Sequence, residues 1–82
     1  MLNMRNPRSE QNHFFELVQG RLESEELIVD KVAEILHLSR DSAYRRIRGI
    51  TDLSVREMAI LARYYGIGLN KLIGEHENAV VF

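Results

Sequence analysis

Four arginines crowd into the ten residues from Ser39 to Arg48: Arg40, Arg45, Arg46 and Arg48, with Asp41 as the only acid among them. A guanidinium keeps its charge at every physiological pH and presents five donors in a fixed fork, so clustered arginines point to recognition of a polyanion. The helix macrodipole favours one or two cations late in a helix but does not account for four. Read as a helix, the stretch puts Ala43 and Ile47 four apart on one face. Asp41, Ser42, Tyr44, Arg45 and Arg48 then point mostly away. A short helix with one thin apolar edge and an arginine-rich outer face suits the major groove of double-stranded DNA. Arg45 is the candidate base reader, able to fork to guanine O6 and N7. Arg46 and Arg48 are candidate phosphate contacts. Arg40 sits at the positive end of the helix, which disfavours a cation unless a phosphate or guanine lies nearby. Asp41 stabilises the first turn; the alternative is acceptance from a cytosine amino group. Tyr44 falls between core and groove and is assigned to the exposed side. Ser39 is first an N-cap, with phosphate contact as a second use of its hydroxyl.

Other chemistry finds little support. His13, His37 and His76 are scattered, without ligand spacing on one helix and without an Asp or Glu to complete a metal motif. The carboxylates of residues 23–26 read as a solvated helix start rather than an acid–base pair. The five glycines are spread as helix punctuation and form no phosphate-binding loop. No catalytic site, metal or cofactor is expected.

The elements that must position these side chains are short helices. Phe14, Val18 and Leu22 recur at i, i+4 and i+8, with Phe15 widening the stripe, which predicts a first helix from a cap at Ser9 to about Leu22. Gly20 inside it costs about 1 kcal/mol relative to Ala. Glu23–Glu26 form an acidic connector and helix entry. From Asp30, the stripe Val32, Ala33, Ile35, Leu36 predicts a second helix, His37 and Leu38 a turn, and Ser39 to Gly49 a third helix with its stop. Ser54-Val-Arg-Glu57 is a capping box opening a fourth, whose apolar face is Met58, Ala59, Leu61, Ala62 and Tyr65, stopped by Gly66. Leu69 to Ile73 is one more short helical piece. Phe14, Val18, Ala33, Leu36, Leu38, Ala43, Ile47, Leu61 and Leu72 are expected to share the core.

The stretch Asp30–Gly49 resembles the helix-turn-helix of bacterial transcriptional regulators of the phage repressor and Cro type, the xenobiotic-response-element-like group. Ala33, Leu36, Leu38, Ser39, Ala43 and Gly49 carry the match. Residues 53–73 look like that family's fourth and fifth helices, so the resemblance covers roughly residues 10 to 74. Ser-Arg-x-Ser-Ala-Tyr-Arg-Arg-Ile is also similar to excisionase-like proteins. Three departures from the pattern stand out. His37 stands where Gly is usual in the turn, Arg46 where a core aliphatic is common, and Ile28-Val29 where a polar pair often touches phosphate. The resemblance implies an all-α, compact bundle of about five short helices containing a helix-turn-helix. It implies a sequence-specific DNA-binding domain of a transcriptional regulator, often a homodimer on a near-palindromic site and often heading a longer regulator chain. The rival expectation is an all-helical, antitoxin-like module that holds another protein, favoured by the acidic first half and apolar tail.

Bulk properties bound these readings. Eighty-two residues make one domain with a modest core. The expected division is a flexible arm at 1–8, the DNA-binding domain at 9–74, and an apolar tail at 75–82 that serves as linker or dimer strand. The absence of cysteine fits a reducing cytoplasm, and no apolar run approaches membrane-spanning length. A net charge of −1 argues against nucleic acid until its distribution is considered. Glu16, Glu23, Glu25, Glu26, Asp30 and Glu34 make the first half acidic, whereas arginine dominates from Arg40 to Arg63. One basic face on a polar molecule still attracts a polyanion.

Overall fold

Helix starts and stops are set by single residues here, and the computed structural model follows most of them. It describes residues 7–68, with side chains from Glu10 onward. Four helices occupy this span: α1 (Pro7–Gln19), α2 (Ile28–Leu36), α3 (Arg40–Ile47) and α4 (Val55–Tyr65). No strand occurs among the described residues, and the four helices form an all-α, compact bundle. The expected helical piece at Leu69–Ile73, core residue Leu72 and the apolar tail lie outside the described residues, as does most of the expected N-terminal arm.

α1 begins and ends earlier than its sequence signals predict. Pro7 opens it; a missing N–H and a fixed φ suit the first position of a helix. Ser9 therefore lies inside the helix rather than capping it, and Pro7 and Arg8 are helical. The helix stops at Gln19, so Gly20 and Leu22 fall beyond it. α2 opens at Ile28 with no side-chain cap. The acidic connector instead closes on itself: the Glu23 N–H donates to the Glu26 carboxylate at 2.9 Å, and the Glu26 N–H to the Glu23 carbonyl at 3.0 Å. The two later starts follow the sequence. Ser39 Oγ accepts from the Ser42 N–H at 3.0 Å. Ser54 and Glu57 make both halves of the capping box.

Three helices stop in the same way, with a left-handed residue followed by an N–H that reaches back five residues. Leu38 donates to the Ala33 carbonyl at 2.9 Å, Ile50 to Arg45 at 2.8 Å and Ile67 to Ala62 at 2.9 Å. Glycine supplies the left-handed residue at Gly49 (φ 80°) and Gly66 (φ 68°), but His37 (φ 58°, ψ 47°) does so after α2. A side chain in this region costs about 1–2 kcal/mol, partly offset by the greater chain entropy that glycine would lose on folding. His37 is exposed, so its ring contributes little packing. His37→Gly is therefore expected to stabilise the fold by roughly 0.5–1 kcal/mol, seen as a higher thermal midpoint.

α2 packs chiefly on α3 and then on α4, while α1 crosses both α3 and α4. Phe14, Phe15 and Val18 of α1, Val32 of α2, Ala43 of α3, Leu61 of α4 and Ile67 form the buried core. Of the expected core, Ala33, Leu36, Leu38 and Ile47 are only half-buried, and Val32 is the covered residue of α2 instead. On α4, Ala59 faces outward rather than inward. Gln11 is the buried polar residue of α1. Its amide donates to the Arg46 carbonyl at 2.7 Å and the Thr51 carbonyl at 3.0 Å, and its oxygen accepts from the Leu53 N–H at 2.8 Å. These bonds fix the end of α3 and the loop after it against α1, so that α3 cannot rotate without breaking them.

Candidate nucleic-acid interface

Ala43 fixes the rotation of α3. It is fully buried, and residues on the opposite side of the helix must face outward. Asp41, Tyr44, Arg45 and Arg48 share that exposed face, and Arg40, three residues before Ala43, is exposed as the first residue of the helix. Ser39 is exposed at its start, with its hydroxyl already accepting from Ser42. Ser42 is half-buried and belongs to the flank rather than the outer face.

Arg46 does not join them. Its side chain turns in and is only 17% exposed, against Glu57 at 20%. Arg46 Nε donates to Glu57 Oε1 at 3.0 Å and Nη2 to Oε2 at 3.2 Å, while Nη1 donates to the Ser42 carbonyl at 3.1 Å. This two-pronged pair ties α3 to α4, which corrects the expectation of a phosphate contact: the guanidinium is already used. Burial alone would raise the Glu57 carboxyl, but bonds from Arg46 and from the Ser54 N–H, with the charge of Arg46, outweigh it and hold the group below the ordinary carboxylate value.

The remaining arginines are arranged by weaker contacts. Arg40 Nη1 lies 3.0 Å from Asp30 Oδ1, bridging the first turns of α3 and α2. Asp30 was not singled out in the sequence, although an opposite charge across the turn was its signal. Arg45 Nε lies 3.0 Å from Asp41 Oδ2, with Arg45 53% and Asp41 75% exposed. The Arg48 guanidinium carbon lies 5.9 Å from the centre of the Tyr44 ring, which is close enough for a cation–π contact. Contacts this exposed hold little energy in water. They set side-chain direction at small cost and release it easily.

The chain matches no family model, no curated protein and no solved structure. Function is read from the surface itself. Among the described residues no three His, Cys, Asp or Glu side chains converge to hold a metal, and no described helix is long and apolar enough to cross a membrane. The outward side of α4, which no local sequence signal marks, carries a dent of about 180 Å³ lined by Ala59 and Ile60 and flanked by Arg56 and Arg63.

Proposed function

We propose that this chain is a sequence-specific DNA-binding domain of a transcriptional regulator, in which α2, the turn His37–Ser39 and α3 act as a helix-turn-helix. The observation that carries it is the exposed surface of α3, where Arg45, Arg48 and Tyr44 on the outer face and Arg40 at the helix start stand against a single aspartate on a helix clamped by Ala43, Gln11 and Arg46. A rigid, narrow, cationic helix fits the major groove, with α2 bracing it across the backbone. The recognition helix is about Ser39–Arg48, with Arg45 as base reader and Arg48 and Arg40 as phosphate contacts. A fifth helix beyond Gly68, a homodimer spanning half-sites roughly 34 Å apart, and attachment to the rest of a longer regulator belong to the same proposal.

Titration of a mixed-sequence duplex at low salt tests this reading, which requires binding that weakens steeply as salt rises. Arg48→Ala is expected to weaken binding to all duplexes alike and to reduce the salt slope by about one. Arg45→Ala is expected to cost roughly 1–3 kcal/mol on the preferred site and to relax the choice of base there. Equal losses on preferred and random DNA for both variants would show that reader and positioner have been mis-sorted.

A second reading, a protein-interaction module using the same fold, draws on α4. Val55 (87% exposed), Ile60 and Tyr64 leave apolar surface there beside Arg56 and Arg63. Duplex binding without salt dependence, or no duplex binding at all, would favour it.

A further inference from the structure

The two exposed ion pairs on the proposed DNA face differ in which guanidinium nitrogen they occupy. Arg40 is held through Nη1, one tip of its fork. Arg45 is held through Nε, the nitrogen nearest the stem, by Asp41 one turn earlier. Nη1 and Nη2 of Arg45 therefore stay available, and they are the two donors that an end-on fork presents to guanine O6 and N7. A carboxylate four residues before an arginine on the same helix has the favoured order for such a pair. Arg45 has four rotatable side-chain bonds to immobilise when it reads a base, and a partner at Nε offsets part of that cost once the pair is shielded from water.

The geometry points to Asp41 as the positioning residue of Arg45: it holds Nε and aims the free edge of the guanidinium at one base pair. This rests on the DNA reading of α3 and adds to it a role distinct from first-turn stabilisation and from direct contact with cytosine. In water the pair is too exposed to hold strongly. In a groove that excludes water the same contact strengthens, because the local dielectric falls. Asp41 also carries a negative charge toward the phosphates, so it weakens binding wherever Arg45 has no guanine to meet. Both effects raise discrimination between the preferred site and random DNA.

The test is a double-mutant cycle on the full chain. Parent, Asp41→Ala, Asp41→Asn, Arg45→Ala and the double variant Asp41→Ala/Arg45→Ala are titrated on a duplex selected from a random pool and on a scrambled duplex. Asp41→Ala should loosen the selected duplex about three- to tenfold and leave the scrambled one unchanged or tighter. Asp41→Asn keeps an acceptor oxygen and should retain part of the preference. In the Arg45→Ala background, Asp41→Ala should no longer loosen the selected duplex. If the loss persists without Arg45, Asp41 reads a base itself or supports only the helix, and the inference falls. It falls equally if Asp41→Ala tightens both duplexes alike, because the carboxylate then acts only by repulsion. Thermal midpoints check folding, and where Asp41→Ala melts far below the parent, Asp41→Asn in both backgrounds decides. Failure of the parent to bind any duplex with a steep salt slope overturns the DNA reading first, and is distinguished from the other outcomes by needing no variant.

Discussion

Ala43→Glu is expected to leave the chain unfolded at 25 °C, with the helical circular dichroism of the parent largely gone. Ala43 is fully buried in the cluster that joins all four helices. A glutamate there either stays charged without a partner, at a cost of several kcal/mol, or pries α3 away from the core. A domain of this size holds only about 5–10 kcal/mol in total. Ala43→Gly supplies the contrast. It removes one methyl and adds a helix penalty of about 1 kcal/mol, and should still fold. Ala33→Glu on the facing helix should be milder than Ala43→Glu, since Ala33 is half-buried and a longer side chain can reach water past the rim. A folded Ala43→Glu protein would mean that α3 is not packed as described.

The second large effect is expected at Glu57. Glu57→Ala removes both prongs of the Arg46 pair and also the carboxylate that accepts from the Ser54 N–H at 3.0 Å. Arg46, mostly covered, is left without its counter-ion. We expect a loss of about 2–4 kcal/mol in urea melts, between the values for exposed and fully buried pairs. The pH dependence has a definite sign. The Glu57 carboxyl is lower in the fold than its ordinary 4.5, so its contribution is fully present above that value. It is lost as pH falls through the lower folded value. Parent stability should therefore drop on acidification below about pH 4.5 more than that of Glu57→Gln, measured by melting across that range. Parallel pH profiles for parent and variant would remove the ion pair from the account.

These two sites also show what was legible in the sequence. Ser39, Ser54 with Glu57, Gly49 and Gly66 were readable because caps and stops are chemistry between residues two to five apart. His37 was readable as an oddity, a side chain where glycine belongs, and the structure gives it the left-handed backbone that glycine would adopt. The outer face of α3 was readable because Ala43 sets the phase of a short helix. Arg46 was not. It sits three residues from Ala43 and one from Ile47, so periodicity alone leaves it at the border, and the partner that decides the matter is Glu57, eleven residues later on another helix. Gln11 was missed for the same reason. Nothing local distinguishes it from an exposed glutamine until the carbonyls of Arg46 and Thr51 are brought beside it. Val32 is fully covered and Ala33 only half, although both pack on the core, because α2 lies against α3 and α4 together and Val32 falls on the side between them.

The carboxamide of Gln11 has a consequence for the timing of motion. The amide proton of Leu53 is bonded to a side chain 42 residues away in sequence, whereas that of Ser42 is bonded to Ser39 only three residues away. Solvent exchange at Ser42 needs no more than fraying of one helix end. At Leu53 it needs the buried carboxamide of Gln11 to withdraw, which requires the first turns of α1 to come away from the loop. The lifetime of that one proton is thus a clock for the loosening of the start of the first helix, in a loop that contains no helix of its own.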